Sequence, residues 1–161
     1  MTTERDFRYI VDDVYAVDSL KVKVPLKEGA IVAQGKFKII APPVDNTSNG
    51  MQAMAVAPVD KNGNVDYSHI VIAYAGTNKD DHLDIDTDIQ SIFFGGSQFL
   101  ADEKTKTFRK SQFQTALEFA KDVEAEIKKI NPNAKITTAG HSLGESLAMY
   151  VALKRGYANV N

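Results

Sequence analysis

The most reactive pattern in the chain is Gly140-His141-Ser142-Leu143-Gly144, which matches G-x-S-x-G. In this pattern the serine attacks a carbonyl carbon after a base has taken its proton. The glycines two residues before and after the serine let a strand and a helix approach around a sharp turn, because neither glycine carries a Cβ. The Leu143 N–H at the start of the helix is then a candidate donor to the negative oxygen of the intermediate. The pattern therefore predicts acyl transfer with Ser142 as the nucleophile.

A purely structural explanation of the same serine is also open. Ser142 and Glu145 fit the helix capping box S-x-x-E, in which the serine hydroxyl accepts a hydrogen bond from a backbone N–H. Residues 136–139 (ITTA) before the motif are typical of a strand, and residues 143–154 after it are typical of a buried helix. Because strand, motif and helix follow in that order, we favour catalysis and keep capping as the alternative.

A second hydrogen-bond donor for the oxyanion is expected from the end of an earlier strand. Residues 69–74 (HIVIAY) form a near-continuous apolar run, which is typical of a strand buried on both faces. The chain continues through Ala75 and Gly76 to Thr77, so the Thr77 N–H lies in the loop that follows this strand. We therefore predict that Thr77 and Leu143 are the two oxyanion donors.

Three histidines are candidates for the general base. His141 is adjacent to Ser142, and the side chains of adjacent residues diverge on a sharp turn. His69 opens the apolar run, so in a pair of parallel strands it lies at the edge opposite to Ser142. His82 follows that strand at the correct edge, and it is the candidate base within this chain, provided that it reaches the serine hydroxyl.

Residues 80–88 contain five aspartates, of which Asp84, Asp86 or Asp88 would orient His82 as a base. Alternating carboxylates can also bind a hard cation such as Ca²⁺. The segment lacks the glycine and the terminal glutamate of an EF-hand loop. We therefore predict a solvated loop or the start of a helix here, with no metal and no cofactor.

The rest of the pattern indicates which elements position these residues. Residues 2–18 carry apolar side chains at spacings of three and four, which predicts a short helix. Residues 30–41 and 51–59 are rich in strand-forming residues, and residues 108–130 carry the apolar stripe of a long helix. From residue 69 onward the order is strand, helix, strand, helix. This order predicts parallel strands joined by a crossover, and therefore an α/β fold.

Composition limits the class of protein and its partners. The 161 residues are 43% hydrophobic and 25% charged with a net charge of −2, which gives no electrostatic attraction to nucleic acid or to an anionic membrane. The chain has no cysteine, no apolar run near the roughly 18 residues of a membrane span, and no signal-peptide pattern at its start. We expect one domain that is cytoplasmic or is exported, as from bacteria, by a route without a signal peptide. The sequence does not identify a protein partner.

Three segments resemble the class 3 lipase family, the α/β-hydrolases similar to fungal lipases. Residues 70–77 (IVIAYAGT) resemble the family's strand that ends in the oxyanion loop. Residues 84–89 (DIDTDI) resemble the stretch after that loop, and residues 136–144 (ITTAGHSLG) resemble the family's strand and serine turn. The resemblance covers roughly residues 50–161.

The resemblance implies an α/β-hydrolase-like fold, in which helices flank a mostly parallel sheet that is incomplete at its C-terminal end. It implies that Ser142 is the nucleophile and that Thr77 and Leu143 form the oxyanion hole. It also implies that the substrate is a lipid or a small carboxylic ester, cleaved through an acyl-enzyme without a cofactor.

The chain departs from the family pattern at several positions. It has Ala75 where the family usually has Arg, Glu145 where the family usually has Gly, and residues 108–110 (FRK) where the family often has His-Gly. The charge of Glu145 would oppose a nearby oxyanion.

The end of the chain differs as well. In the family an Asp and then a His follow the nucleophile by a long stretch, whereas this chain ends at Asn161, where residues 158–161 look like the start of another strand. We therefore expect residues 1–161 to form a single hydrolase domain that stops before that Asp and His. The alternative is a non-catalytic hydrolase-like fragment or a binding module.

Overall fold

The computed structural model describes residues 2–76 and 103–160, with the backbone alone described at residues 103–110. The helices are α1 (Glu4–Asp13), α2 (Glu103–Ile130) and α3 (Leu143–Arg155), and a 3-10 turn (Val14–Val17) follows α1. The strands are β1 (Ile31–Val32), β2 (Phe37–Ile39), β3 (Val44–Asn46), β4 (Met51–Pro58), β5 (His69–Gly76), β6 (Lys135–Gly140) and β7 (Ala158–Val160).

The described strands form one mixed sheet. Its order is β1-β2-β4-β5-β6-β7, and β3 pairs with the start of β4. Pairing is antiparallel from β1 to β5 and parallel from β5 through β6 to β7. The parallel strands predicted for the second half are confirmed. The described sheet is mixed rather than mostly parallel, because the short connections of the first half give antiparallel pairs.

Helices cover both faces of the sheet, as the α/β prediction requires. On one face, α2 and α3 pack through buried side chains such as Phe113, Val123 and Leu147. On the other face, α1 and the 3-10 turn pack through Ile10 and Val14. Each helix therefore buries its apolar stripe against the sheet, which is the main source of stability in such a layered fold.

The two central strands are buried on both faces. In β4, alternate residues face the α2 and α3 side, and the residues between them face α1, so that Met51 and Met54 belong to opposite cores. Every residue from Ile70 to Ala75 in β5 is fully buried. The expectation for residues 69–74 is thus confirmed.

Residues 30–41, which are rich in strand-forming residues, form a hairpin, because Ala33 and Gln34 take positive φ values of 52° and 57° and turn the chain between β1 and β2. One boundary differs from the sequence-based expectation. The long helix begins at Glu103 rather than at Phe108, since polar residues without apolar spacing extend it. Among the described helices none is long and apolar enough to cross a membrane.

Candidate active site

Ser142 lies at the junction of β6 and α3, where the backbone turns sharply. Its φ of 56° and ψ of −124° lie in a region that a residue with a Cβ rarely adopts. The side chain is exposed, and it makes no capping hydrogen bond with the helix that starts at Leu143. Ser142 therefore occupies the N-cap position without the capping-box bond, and its hydroxyl stays available to an incoming molecule.

The two glycines of the motif are required by contacts between backbones. A Cβ on Gly140 would overlap the backbone of Gly144 and lie 2.6 Å from the Glu145 nitrogen. A Cβ on Gly144 would overlap the Tyr74 carbonyl oxygen and lie 2.9 Å from its carbon. The close approach of strand and helix expected from the G-x-S-x-G spacing is thus present, and it brings the start of α3 against the ends of β5 and β6.

The first N–H groups of α3 differ in their hydrogen bonding. The Gly144 N–H donates to the His141 carbonyl oxygen at 2.9 Å, and the Glu145 N–H donates to the Ser142 carbonyl oxygen at 3.0 Å. Among the described residues the Leu143 N–H has no acceptor. An unpaired N–H at the positive end of a helix is suited to bind a negative oxygen.

The predicted second donor, Thr77, lies outside the described residues, but the position of the preceding residue is described. β5 runs parallel to β6 with Tyr74 opposite Gly140, so its last residue, Gly76, lies beside the serine turn. A Cβ on Gly76 would be 3.0 Å from the Leu143 Cγ. The residue before Thr77 is therefore next to the serine turn.

Neither described histidine is placed to act as a base for Ser142. His69 pairs with Lys135 at the far end of β5, and its Nε2 lies 3.1 Å from the Thr137 hydroxyl oxygen. A strand of this length separates it from the serine turn by about 25 Å. His141 is exposed next to the serine. His82 and the aspartates proposed to orient it lie outside the described residues.

Glu145 contributes a half-satisfied carboxyl to the first turn of α3. Its Oε1 accepts a hydrogen bond from the Asn159 side chain at 2.8 Å, whereas its Oε2 is buried and has no hydrogen-bond partner among the described residues. Burial raises the pKa of this carboxyl above its ordinary value, more than the Asn159 hydrogen bond and the nearby His141 lower it. The sequence pattern indicates Glu145 but not its partner Asn159, which lies on β7.

A cavity of about 270 Å³ opens beside the serine turn. Gly140, His141, Ser142 and Glu145 line one side of it, together with the end of β7. The other side is formed by α1, through Glu4, Phe7, Arg8 and Val11. The sequence predicted α1 as a helix but contained no signal that it lies next to Ser142.

A hydroxyl on the 3-10 turn also lies near the serine turn. The Tyr15 hydroxyl is 3.5 Å from the His141 carbonyl oxygen. Within the described part of the chain, no group of three or more His, Asp or Glu side chains could hold a metal ion. The acidic segment 80–88 lies outside that part.

No protein-family model matches the chain, and no curated protein sequence matches it. Several solved structures do match the chain. A mono- and diacylglycerol lipase from Aspergillus oryzae aligns over 99% of this chain and 61% of its own, at 15% identity and a TM-score of 0.55. A fungal lipase aligns over 93% and 56%, at 15% identity and 0.54. A lipase–propeptide complex from Rhizomucor miehei aligns over 95% and 47%, at 15% identity and 0.52.

These similarities concern the fold, because the identities are too low to carry residue roles. The chain spans about half of the length of these three lipase structures, from 47% to 61%. The mixed sheet, the helices on both faces and the aligned lipases together establish the predicted fold class: this chain has the α/β-hydrolase-like fold of the fungal lipases.

Proposed function

We propose that this chain is a serine ester hydrolase that forms an acyl-enzyme on Ser142. One observation carries the proposal: an exposed serine hydroxyl without a capping bond sits on a strained backbone, beside a helix N–H that has no acceptor among the described residues. A serine that serves only as a cap would lose that hydroxyl to the helix. Strained backbone of this kind persists where surrounding contacts impose it, and here the contacts of Gly140 and Gly144 impose it.

The reaction follows from the groups at the turn. The Ser142 oxygen attacks the ester carbonyl while a base takes its proton, and the carbonyl oxygen becomes an anion. The Leu143 N–H, together with the Thr77 N–H, donates hydrogen bonds to that oxygen. The C–O bond to the alcohol breaks as the base returns the proton to the alcohol. Water then adds to the acyl-enzyme by the same steps and releases the carboxylic acid and free Ser142.

The substrate class rests on the fold and on the resemblance. The aligned structures include a mono- and diacylglycerol lipase, and we propose a lipid or small carboxylic ester for this chain as well. The base and its orienting acid follow the serine turn in the family pattern. Within this chain His82 is the alternative base, with a neighbouring aspartate to orient it.

A second candidate function is a hydrolase-like module that binds a ligand without cleaving it. The described residues favour this second function in one respect, since His69 lies at the opposite edge of the sheet and no described histidine forms a hydrogen bond with Ser142. The negative charge of Glu145 near the oxyanion position also favours a module that binds a ligand without cleaving it.

A fluorophosphonate probe separates the two candidates, because it bonds covalently to an activated serine. We expect one adduct by intact mass on the 161-residue chain and none on Ser142→Ala. Ser68→Ala is the matched control, since Ser68 is exposed at the opposite end of the sheet, just before β5. An unlabelled chain with a folded circular dichroism spectrum would contradict catalysis by this chain and favour the binding module.

A further inference from the structure

Two buried amide side chains join α2 to the turn before β4, and the proposed reaction does not use them. Gln112 and Asn49, which we call the amide pair, are both buried. The Gln112 Nε2 donates to the Asn49 carbonyl oxygen at 2.5 Å. The Asn49 side chain donates to the hydroxyls of Ser111 and Thr115 at 3.1 and 2.9 Å. Buried amides cost stability unless hydrogen bonds compensate them, so a cluster of this kind needs an explanation beyond packing.

The amide pair lies at the end of β5, beside the serine turn. The Asn49 Oδ1 accepts a hydrogen bond from the Met51 N–H at 3.1 Å, and Met51 pairs with Gly76, the last residue of β5. A Cβ on Gly76 would lie 3.0 Å from the Gln112 Oε1 and 3.0 Å from the Leu143 Cγ. The side chains of Gln112 and Leu143 therefore meet over this glycine. The amide pair contacts Gly76 from α2 and also holds the β4 residue that pairs with it.

The position of Gly76 bears on the geometry of the oxyanion hole. Leu143 supplies one of the two predicted donors, and Thr77, the other, directly follows Gly76 in the chain. Two donors stabilise the same anionic oxygen only when both can lie about 2.7–3.1 Å from it, so the distance between them has to be fixed. Because Gly76 is the last residue of its strand, the side chains that pack over it set its distance from α3.

A hydrogen-bonded amide suits this positioning better than an apolar side chain of the same size. Hydrogen bonds have a preferred length and direction, whereas an apolar core of the right volume tolerates small shifts. Such shifts matter at a reacting centre, because a displacement of about 1 Å can lower a rate by about a hundredfold. The bond from Gln112 to the Asn49 carbonyl thus fixes the side chain that packs over Gly76.

We propose that Gln112, held by Asn49, is a positioning residue that fixes Gly76 against Leu143 and so sets the separation of the two oxyanion donors. The effect on the reaction rests on the proposed function, whereas the positioning of Gly76 does not. The alternative is that the amide pair only attaches α2 to the sheet. Positioning would affect the rate of the reaction within folded molecules, whereas attachment would affect only the fraction of molecules that are folded.

Gln112→Met tests the proposal on the 161-residue chain, because methionine has a similar length but no amide. Fluorophosphonate labelling at several probe concentrations separates the maximal rate constant from the concentration that gives half of it. We expect the maximal rate constant to fall by about tenfold and the half-saturating concentration to stay the same, since only the transition state uses both donors.

A second variant and a matched control accompany Gln112→Met. Thr115→Val keeps the shape of the side chain but removes one acceptor of the Asn49 amide, and it should lower the maximal rate constant by about threefold. This milder variant keeps the test open where Gln112→Met does not fold. Gln114→Met makes the same substitution at an exposed position of α2 and should leave the labelling unchanged.

Hydrogen–deuterium exchange gives a readout that does not depend on the reaction. In Gln112→Met the amides of residues 70–76 should exchange about tenfold faster than in Gln114→Met, because the end of β5 is less firmly held. The amides of residues 120–130 of α2 should exchange at the same rate in both variants.

Several outcomes would overturn the proposal. Labelling of Gln112→Met at the parental rate would refute the positioning role and leave the hydrolase function intact. A smaller labelled fraction at an unchanged rate constant, or faster exchange throughout the chain, would leave the amide pair with the attachment of α2 alone. If the parent chain does not react with the probe, the proposed function fails, and exchange at residues 70–76 decides the positioning. Unchanged exchange there would refute it, and locally faster exchange would support it.

Discussion

A glutamate lies at each end of α3, and the two carboxyl groups are in opposite states. At the C-terminal end of α3, Glu124 of α2 accepts hydrogen bonds at one oxygen from the Arg155 guanidinium and from the Tyr157 hydroxyl, the latter at 2.7 Å. At the N-terminal end, Glu145 has Asn159 as its hydrogen-bond partner, and its other oxygen is buried with no partner among the described residues. Two partly buried glutamate carboxyls, about one helix length apart, therefore differ in how well hydrogen bonds compensate their burial.

The pKa values follow this difference. Burial alone would raise the pKa of Glu124, but the hydrogen bonds from Arg155 and Tyr157 hold that pKa below its ordinary value. Burial and the hydrogen bond to Glu124 together raise the pKa of Tyr157 to about 12. At Glu145 burial prevails, and the pKa is raised. The C-terminal end is thus a satisfied structural contact, whereas the N-terminal end keeps unsatisfied groups beside an exposed serine. Unsatisfied and strained groups are the ones that need a functional explanation.

The largest change in the free energy of unfolding is expected from the glycines at the two ends of α3. In Gly144→Ala the new Cβ meets the Tyr74 carbonyl, so the free energy of unfolding should fall by about 3 kcal/mol or more. In Gly156→Ala nothing lies within 4 Å of the new Cβ, and only the φ of +74° is unfavourable. That variant should lose about 1 kcal/mol. Urea unfolding followed by circular dichroism measures both, and equal losses would disprove the close contact at Gly144.

Replacement of Glu124, whose carboxyl is hydrogen-bonded, should change the free energy of unfolding by an intermediate amount that depends on pH. Glu124→Gln should lower the free energy of unfolding at pH 7 by about 1–2 kcal/mol, since Arg155 and Tyr157 lose a charged acceptor. A carboxyl with a lowered native pKa stabilises the fold above its ordinary pKa and loses that contribution as the pH falls through the native pKa. The difference from the parent chain should therefore shrink below the ordinary Glu value of 4.5.

The control for Glu124→Gln is Glu126→Gln on the same helix. Glu126 is 69% exposed and pairs only with Lys129, so its removal should change little. Urea unfolding at pH 7 and pH 3 would show the contrast. A loss in Glu124→Gln that persists unchanged at the lower pH would rule out the charged contact as its cause.

Replacement of Glu145 should give the smallest change in the free energy of unfolding, and this change should be a gain rather than a loss. A carboxyl with a raised native pKa costs stability as the pH rises from its ordinary value of 4.5 through the native one. Glu145→Gln should therefore gain about 0.5 kcal/mol at pH 7 and nothing at pH 4. It should also raise the rate of fluorophosphonate labelling at pH 7 by about threefold, because one negative charge near the oxyanion is removed.

Glu118→Gln on the exposed face of α2 serves as the control for that charge. It should leave both the unfolding curve and the labelling rate as they are. Slower labelling of Glu145→Gln would indicate that the carboxylate assists the serine instead of opposing it, and would reverse the interpretation of this end of the helix.

Much of the fold could be predicted because its signals are local or periodic. The α2 stripe, the apolar run of β5 and the pairing of β5 with β6 all follow from spacing and order along the chain. The position of the turn between β1 and β2 could not be predicted in the same way, because the turn uses positive φ at Ala33 and Gln34, residues with no preference for it. The alternative that Ser142 caps the helix also rested on a local pattern, S-x-x-E. In the structure Ser142 has backbone angles outside the usual capping range and makes no capping hydrogen bond.

The sequence by itself determined the serine turn, because the steric demands on Gly140, Ser142 and Gly144 act between residues that are close along the chain. Only the tertiary structure decided what surrounds that turn. Tyr15 reaches the carbonyl of His141 across 126 positions, and Asn159 reaches Glu145 from another strand. Such contacts depend on how helices and strands pack in three dimensions, and no spacing along the chain encodes them.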